Sequence, residues 1–303
     1  MEASRLTHTR ASSAWAVGGL RQVLADYAAL TKPKVQSLLL LTTVTTMYVA
    51  GDPSLGLVAL TVLGGYLSAG GAGAVNHYYD RDIDAQMART ANRPVPAGRV
   101  SPRAALAFGI ALAVASFVLL SATVNVLAAI LALLGFLGYV FVYTVWLKRS
   151  TPQNIVIGGA AGAVPPLVGW AAVTGGLDPT ALYLFAIVFY WTPPHFWALS
   201  LLMKDEYARV GVPMMPVARG EVETRRQIVL YTVLLVVLTL LPFLFGMFGL
   251  LYAAAAIGLG GAFTVLSVRL QRRADRPAAL RTYLFSLGYL AALFCAMVLD
   301  TQL

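Results

Sequence analysis

The stretch Asn76-His-Tyr-Tyr-Asp80-Arg-Asp-Ile-Asp84 closes a long apolar run and places three aspartates within five residues. A carboxylate at the centre of a membrane helix costs about 2.5–3.5 kcal/mol on insertion scales, so this concentration of charge requires a function. If one helix continues through the stretch, Asn76, Asp80 and Asp84 lie four residues apart and share one face. The spacing predicts a short column of hard oxygen ligands, the donor type that suits Mg²⁺ bridged to a diphosphate.

A calcium loop is one alternative for this stretch. Asp80, Asp82 and Asp84 occupy positions 1, 3 and 5 of an EF-hand template, which then requires Gly and finally Glu. The sequence has Ala85 and Ala91 at those two positions, so the template fails. On a helix Asp82 points away from the other two aspartates, and we leave it outside the predicted metal site. A solvated helix end with scattered charge is the simpler alternative.

The composition is that of a polytopic membrane protein. The 303 residues are 59% hydrophobic and 12% charged, with a mean hydropathy of +0.75, whereas soluble domains carry about 25% charged residues. The net charge of +9 comes from basic residues in short loops between apolar runs, which indicates membrane topology rather than nucleic-acid binding. The single cysteine, Cys295, excludes an internal disulfide.

We interpret nine apolar runs as membrane spans, for which about 20 residues suffice, and the first of them is short. All 22 Lys and Arg fall on or beside one set of alternate loops, which predicts a cytoplasmic N-terminus and an external C-terminus. We expect an all-α protein in which residues 1–26 form a cytoplasmic tail, not a signal peptide, and residues 27–303 form one transmembrane domain. The predicted spans are 35–50, 56–79, 102–121, 124–146, 153–173, 180–203, 227–246, 248–268 and 280–299.

The two longest loops, residues 80–101 and 204–226, are both predicted to be cytoplasmic, and both begin with acidic residues. The second loop starts Lys204-Asp205-Glu206-Tyr207-Ala-Arg209. Two carboxylates beside a lysine could hold a second metal and a phosphate, facing the first cluster across a helix bundle. The alternative is a polar cap at the membrane edge of the sixth span. A glycine and two prolines between residues 211 and 216 indicate a shaped loop beyond it.

Basic residues at the predicted cytoplasmic face could neutralise a departing diphosphate. Arg93 follows the first cluster, Lys148 ends the fourth span, and Lys32 and Lys34 precede the first span. Topology signalling and contact with lipid headgroups are the alternative for each of them. The substrate-binding candidates at this face are Lys34, Arg93, Tyr143, Lys148, Lys204 and Arg209.

A histidine is predicted deep in the sixth span, in the phrase Tyr190-Trp-Thr-Pro-Pro-His-Phe-Trp197. The two prolines are expected to break the helix, which is tolerated only where protein or a cavity surrounds the break. A polar side chain at this depth is a candidate functional residue. Substrate contact, ligation of a porphyrin iron and a structural hydrogen bond to a neighbouring helix are all open for His195, which we select as substrate-binding. His77, inside the first cluster, is a weaker candidate.

These motifs resemble those of the UbiA superfamily of intramembrane aromatic prenyltransferases. The shared pattern is Asn76-x₃-Asp80-x₃-Asp84, followed by Arg93-Pro94 and by an acidic loop after the sixth span. Three wider phrases are similar to the protoheme IX farnesyltransferase (heme O synthase) family within it. They are residues 76–94, Trp191-Thr-Pro-Pro-His-Phe-Trp-Ala-Leu199 and Asp205-Glu-Tyr-x₃-Gly-Val-Pro-Met-x-Pro216. The likeness covers about residues 27–300.

The resemblance implies nine transmembrane helices around a central cavity with a cytoplasmic cap, in a plasma or inner membrane. It implies farnesyl diphosphate and heme b as substrates, Mg²⁺ as cofactor, and heme A synthase as a downstream partner in the lipid bilayer. In this resemblance Asp80, Asp84 and Asp205 are catalytic. Asn76, Asp80 and Asp84 hold Mg²⁺ on the diphosphate, and Asp205 holds the metal of the second cluster.

The second motif departs from the superfamily pattern. Many members carry Asp-x₃-Asp there, whereas the fourth residue after Asp205 is Arg209. Either Glu206 serves as a ligand or side-chain positive charge replaces one cation, so the number of metals is open. We predict transfer of a farnesyl group to a vinyl group of heme b. Prenylation of a quinone precursor or chlorin, and heme transport, are the alternatives.

Overall fold

Residues 11–303 of the computed structural model are described here, with side chains from residue 19 onward. The first ten residues of the predicted tail, with His8, lie outside the described residues. The described chain is helical and contains no β-strand. Its elements are α1 (Ala11–Leu30), α2 (Pro33–Ala50), α3 (Leu55–Tyr79), α4 (Arg81–Gln86), α5 (Pro102–Thr123), α6 (Val126–Leu137), a π-helical segment (Gly138–Leu147), α7 (Asn154–Gly162), α8 (Val164–Thr174), α9 (Pro179–Leu202), α10 (Lys204–Arg209), α11 (Met215–Ala218), α12 (Gly220–Leu244), α13 (Leu250–Arg273) and α14 (Arg276–Thr301).

Short polar side chains set where several of the long helices begin. In each case the residue before the helix accepts a hydrogen bond from the backbone N–H three residues later, which satisfies a donor that the helix itself leaves free. These capping residues are Ser54, Ser101, Asn125, Asp178 and Asp275.

Seven helical stretches among the described residues are long and apolar enough to cross a membrane, so the chain is a multi-pass membrane protein. They coincide with seven of the nine predicted spans. The first and sixth predicted spans correspond to α2 and α9. They fall outside this group because Lys34 and Gln36 in α2, and prolines, tyrosines and a histidine in α9, lower their hydropathy. The seven stretches are Leu55–Tyr79, Pro102–Thr123, Val126–Leu147, Asn154–Thr174, Gly220–Leu244, Leu250–Arg273 and Arg276–Thr301.

The long helices pack in chain order, and the last returns to the first. Helix α3 packs on α5, α9 on α12, α12 on α13 and α13 on α14, while α14 also contacts α2. The helices therefore close into a ring. Small residues allow the tightest crossing: a Cβ at Gly71 of α3 would lie 2.6 Å from the carbonyl oxygen of Gly109 in α5, so glycine is required there.

Two local expectations about helix continuity are wrong. The helix through the first cluster is interrupted, because α3 ends at Tyr79 and α4 begins at Arg81. Conversely, α9 continues through Pro193 and Pro194. A proline removes a single donor and leaves one carbonyl without its helical partner. The tightly packed surroundings of the buried residues 191–195 hold the helix together across this loss.

Candidate active site

The predicted column of oxygen ligands survives the interruption after α3. The backbone N–H of Asp80 donates to the carbonyl of Asn76 at 2.9 Å, and that of Asp84 donates to the carbonyl of Asp80 at 2.8 Å. These two bonds keep the i, i+4 spacing, so the three side chains still follow one another along one face. All three are buried, and the side chain of Asp80 is 0% exposed. The Asn76 amide Nδ2 donates to Asp80 Oδ2 at 2.7 Å.

Three cations converge on this column from three different segments of the chain. Lys148 Nζ, which follows the π-helical segment, forms an ion pair with Asp80 Oδ2. Arg93 Nη1, in the loop after α4, lies 2.7 Å from Asp84 Oδ2. Lys32 Nζ, between α1 and α2, donates to Asn76 Oδ1 at 2.6 Å. Buried carboxylates need such partners because desolvation of an unpaired charge is costly.

The π-helical segment Gly138–Leu147 brings Lys148 to the column. Its backbone bonds connect residues five apart, as in the bond from Lys148 N–H to the Tyr143 carbonyl at 2.9 Å. Residues 139, 144 and 149 therefore follow one another along one face. Thr144 is buried on this face, and its Oγ1 accepts from Asn76 Nδ2 at 3.1 Å. The ring of Tyr139 lies 5.9 Å from Lys32 Nζ.

Lys32 reaches the column from a turn in an unusual backbone conformation. Its φ of 54° lies in the left-handed region, which a residue with a Cβ adopts at a cost. Gly73 of α3 gives the turn room, because a Cβ there would lie 3.0 Å from the carbonyl oxygen of Leu30. Burial, together with the charges of Arg93 and Lys148, lowers the pKa of the Lys32 ammonium to about 7. The predicted candidate Lys34 is instead exposed and has no ion pair among the described residues.

Asp82 lies apart from the column, as its helical position predicts. Its two carboxylate oxygens each accept from Arg149, at 2.7 Å. The hydrogen bond from Arg149 lowers the pKa of Asp82 to about 2. Arg149 also lies 3.6 Å from Asp80 Oδ1. Asp82 therefore holds a fourth cation, Arg149, beside the column.

The donor set fits a hard divalent cation. Asp80 Oδ1 is buried and has no hydrogen-bond partner among the described residues, so one carboxylate oxygen is available in a setting where unpaired acceptors are costly. Amide and carboxylate oxygens are the ligands that Mg²⁺ accepts. Around the column, three cations (Lys32, Arg93 and Lys148) face two carboxylates (Asp80 and Asp84). This excess of positive charge suits an anion bound beside a metal.

The second acidic cluster is arranged differently. Lys204 is paired with Glu221 of α12 at 2.6 Å. Asp205 is exposed and lines a surface cavity of about 200 Å³ together with Glu221 and Arg225. Glu206 has a buried carboxylate oxygen, Oε2, without a hydrogen-bond partner in the described residues. Arg209, the last residue of α10, is exposed.

The two acidic loops contact each other through apolar side chains. Ile83 of α4 packs in one buried cluster with Ile155, Val212 and Met214, and Tyr143 and Tyr207 border that cluster. Burial raises the pKa of Tyr207. Nevertheless, no three Asp, Glu, His or Cys side chains among the described residues are close enough to hold a metal by themselves. The structure thus joins the loops without adding Asp205 and Glu206 to the column, and their role as ligands stays a prediction.

The histidines lie in separate surroundings. His195 is buried between α9 and α14, where its Nδ1 lies 2.7 Å from Ser286 Oγ. Its ring is stacked on Trp191, with centroids 4.3 Å apart. His77 is buried beside Asn76 in α3, and its Nδ1 has no partner among the described residues.

Comparison with known proteins establishes the family. The model of the UbiA prenyltransferase family matches residues 39–291. The chain belongs to the UbiA prenyltransferase family. Its column of Asn76, Asp80 and Asp84 and the cations around it all belong to the UbiA domain or to its immediate N-terminal flank.

The UbiA family relatives are similar over almost the whole chain. A protoheme IX farnesyltransferase of Symbiobacterium thermophilum is 54% identical over 92% of this chain and 95% of its own length. Those of Roseiflexus sp. and Chloroflexus aurantiacus are 56% and 54% identical over 93% and 96% of this chain. The chain spans only about half the length of these last two, 53% and 49% respectively.

Solved structures show the UbiA fold at low sequence identity. A digeranylgeranylglyceryl phosphate synthase superposes with a TM-score of 0.75 at 18% identity, over 91% of this chain and 98% of that one. A UbiA homolog from Archaeoglobus fulgidus, solved bound to DMAPP and Mg²⁺, gives a TM-score of 0.69 at 18% identity, over 90% of this chain and 99% of that one. The all-helical architecture is thus that of the UbiA family.

Several residues of this UbiA site carry no signal in the sequence. Thr144 and Tyr139 were not selected, because their approach to the column depends on the π-helical segment, and α-helical spacing does not place them together. Lys32 and Lys34 were equal candidates, since only the left-handed turn at residue 32 separates them. The helical offset of four residues from Thr144 to Lys148 is the one pattern that could have indicated a shared face.

Proposed function

We propose that the protein transfers the farnesyl group of farnesyl diphosphate to a vinyl group of heme b, giving heme O. The observation that carries this proposal is the buried column of Asn76, Asp80 and Asp84 with Lys32, Arg93 and Lys148 around it. Carboxylates that can hold a metal, beside an excess of cations, suit a diphosphate leaving group. The names of relatives 54–56% identical to this chain supply the farnesyl donor and the protoheme acceptor.

The chain's own cations would stabilise the departing diphosphate. Lys32, Arg93 and Lys148 come from three segments, so they approach the leaving group from different directions. They stabilise the negative charge that grows on it as the bond to the farnesyl carbon breaks. Mg²⁺, when held by Asn76, Asp80 and Asp84, supplies further positive charge to the diphosphate oxygens. The Archaeoglobus fulgidus homolog, solved with a prenyl diphosphate and Mg²⁺, supports this assignment.

Bond formation then needs no nucleophilic side chain. The farnesyl carbon becomes an allylic cation, and the π electrons of a heme vinyl group form the new carbon–carbon bond. The positive charge passes to the vinyl carbon next to the porphyrin ring, where water adds and releases a proton, leaving a hydroxyethylfarnesyl substituent. The role of the protein is to exclude bulk water until the carbon–carbon bond has formed, consistent with the burial of Asp80.

The second cluster would complete the diphosphate site from the opposite side. We assign Asp205 to a second metal, with Glu206 as the alternative ligand. Lys204, Arg209, Tyr143 and His195 remain substrate-binding candidates. The presence of Ile83 and Met214 in one buried apolar cluster supports the approach of the two loops. The exposed position of Asp205 and the pairing of Lys204 with Glu221 give this half less support than the column has.

We further propose that α2 and α9 also cross the membrane, which gives nine spans around a central cavity. Helix α9 has 24 residues and packs against α7, α12 and α14, so its polar side chains are turned toward protein rather than lipid. Nine crossings with all basic loops inside place the N-terminus in the cytoplasm and Leu303 outside, in a plasma or inner membrane. The two acidic loops then form a cytoplasmic cap, and a heme A synthase would consume the product.

Heme extraction from membranes tests the proposal. The full-length protein is produced in cells that make only heme b, and membranes are incubated with farnesyl diphosphate with or without Mg²⁺. We expect a new, more hydrophobic heme that requires both additions and is missing with Asp80→Ala, while Asp82→Ala retains it. A prenylated quinone or chlorin instead of the heme would identify the second candidate. Heme movement across the membrane without a new product would identify a transporter.

A further inference from the structure

His195 occupies a site that the diphosphate chemistry does not use. The residue lies seven positions before Leu202, the end of α9, or about 10 Å along the helix axis from it at 1.5 Å per residue. Its side chain is 6% exposed. Aromatic rings surround the imidazole: Trp191 is stacked on it at 4.3 Å, Tyr283 lies at 5.0 Å and Phe196 at 5.2 Å.

The hydrogen bonds around His195 favour one tautomer of its ring, assigned from the hydrogen-bond network. The Ser286 hydroxyl has one hydrogen, and it is donated to the carbonyl oxygen of Tyr283 at 2.6 Å. Ser286 Oγ must therefore accept from His195 Nδ1, which lies 2.7 Å away. The neutral imidazole thus carries its hydrogen on Nδ1 and keeps the lone pair on Nε2.

The second contact between α9 and α14 keeps this arrangement rigid. Trp191 Nε1 donates to the carbonyl oxygen of Ser286 at 2.7 Å. The indole and the imidazole, one helical turn apart, are therefore both bonded to the same residue of α14. Among residues 19–303 the hydrogen bond of Nδ1 to Ser286 is the one that the imidazole makes, and Nε2 makes none. Its basic lone pair, held by a bonded Nδ1–H, is the arrangement found in metal-ligating histidines.

We propose that His195 Nε2 is an axial ligand to the iron of the porphyrin acceptor, a role that rests on the proposed heme farnesylation. A histidine bound through one nitrogen is the commonest protein ligand of heme iron. The neighbouring rings of Trp191, Phe196 and Tyr283 supply the apolar surface that a planar macrocycle requires. His195 is in this proposal a positioning residue for the vinyl group.

Absorption and electron paramagnetic resonance spectra of the purified full-length protein with added ferric protoheme test this ligation. We expect the wild type to show the spectrum of a histidine-ligated heme. His195→Gly is expected to lose that spectrum and to regain it when free imidazole fills the space of the missing side chain. His77→Gln and His8→Gln serve as matched controls and are expected to keep it. Loss of the spectrum with His77→Gln or His8→Gln but not with His195→Gly overturns the proposal.

An iron-free acceptor gives a second, independent test. Protoporphyrin IX has the same vinyl groups but no iron, so it cannot be bound through Nε2. We expect the wild type to have a lower KM for heme b than for protoporphyrin IX, and His195→Gly to raise the KM for heme b alone. Ser286→Ala, which removes the acceptor of Nδ1–H, is expected to weaken heme binding about 10- to 100-fold, as the loss of an outer-shell partner does.

The outcomes separate this inference from the proposed function. If His195→Gly makes heme O at the wild-type rate and KM, the ligation proposal fails while heme farnesylation stands. If the wild type makes no heme O although its heme spectrum depends on His195, the proposed function fails while the heme site stands. An imidazole-insensitive loss of activity with an unchanged spectrum would show that His195 has only a structural role, and overturns the proposal.

Discussion

The two acidic loops begin alike in sequence and differ in structure. Asp80 is fully buried and is paired with Lys148, with Arg149 close by. Asp205 is exposed on α10 and has no ion pair among the described residues. The neighbouring Lys204 is bonded to Glu221 on the helix that follows. The first loop thus has two buried carboxylates, Asp80 and Asp84, whereas Asp205 of the second loop lies at the surface.

The comparison shows that only the buried carboxylates determine which other side chains must lie beside them. A buried carboxylate requires a partner, and the protein supplies cations from the turn before α2, the loop after α4 and the end of the π-helical segment. Three separate segments are thereby held at one point. An exposed carboxylate requires nothing from its neighbours, since water screens it. The column is thus held in place by its ion pairs, whereas the exposed Asp205 is not held by one among the described residues.

Removal of the central carboxylate is expected to have the largest effect. Asp80→Asn keeps the shape of the side chain and removes the charge, and we expect turnover to fall about 10²–10³-fold, the typical cost of one electrostatic contact to a transition state. Product formation in membranes at saturating farnesyl diphosphate measures it. Asp82→Asn, two positions away, is the matched control and should lose less than about fivefold, as for a solvated pair. Equal losses of turnover in Asp80→Asn and Asp82→Asn would contradict a special role for the buried aspartate.

Lys32 and Lys34, at the junction of α1 and α2, provide the next test. Lys32→Met removes a charged hydrogen bond to the column, which contributes about 1.5–3 kcal/mol, so we expect turnover to fall about 10- to 100-fold. Lys34→Met alters an exposed side chain and should leave turnover unchanged. The two variants are compared in the same membranes, with thermal unfolding in detergent as a check on folding. A greater loss of turnover with Lys34→Met than with Lys32→Met would support the prediction of Lys34 as the substrate-binding residue.

Asp205→Asn tests the second cluster directly. Because the carboxylate is exposed, its charge acts through water, where a close contact amounts to about 1 kcal/mol, or about fivefold in rate. We expect turnover to fall by that factor and half-saturation to need more Mg²⁺. Glu223→Gln, a nearby residue on α12, is the control. An unchanged Mg²⁺ dependence would exclude Asp205 as a metal ligand, and a loss as large as that of Asp80→Asn would make the clusters equivalent.

Loss of the ion pair between Asp82 and Arg149 should have the smallest effect, and it should change only the stability of the protein. Its aspartate is 55% exposed, and such pairs contribute less than about 1 kcal/mol. Because the folded-state pKa of Asp82 is about 2, below its ordinary value of 3.8, its contribution is complete above pH 4 and is lost as the pH falls through 2. A double-mutant cycle with Asp82→Asn and Arg149→Met, followed by unfolding in detergent at pH 7, measures the coupling. Coupling above 2 kcal/mol would contradict a solvated pair.

The fold was largely predictable from sequence because it is indicated by long apolar runs. Apolar runs of about 20 residues gave seven helices that can cross a membrane. The site was predictable where spacing suffices: Asn76, Asp80 and Asp84 stay stacked because their backbone bonds remain α-helical. The interruption at residue 80 and the continuity of α9 were not, since neither breaks the apolar pattern. Whether a proline bends a helix depends on neighbours that no local sequence contains.

For a similar reason, the sequence does not show which basic residues contact the column. Lys32 and Lys34 differ by two residues, and a left-handed backbone angle at residue 32 decides which ammonium reaches Asn76. Thr144 accepts from Asn76 within the π-helical segment, where α-helical spacing does not apply. Both features depend on tertiary packing rather than on residue preference, so no reading of local pattern would have selected them.

The π-helical segment also makes the site sensitive to chain length. Ten residues with bonds five apart hold one residue more per turn than an α-helix would accept there. Deleting a single exposed residue such as Phe141 would allow one of these wider turns to rewind as an α-helical turn. Each residue turns an α-helix by about 100°, so Lys148 and Arg149 would rotate away from Asp80. A one-residue deletion in this segment would thus leave the buried carboxylate of Asp80 without nearby cations, because it would move Lys148 and Arg149 away together.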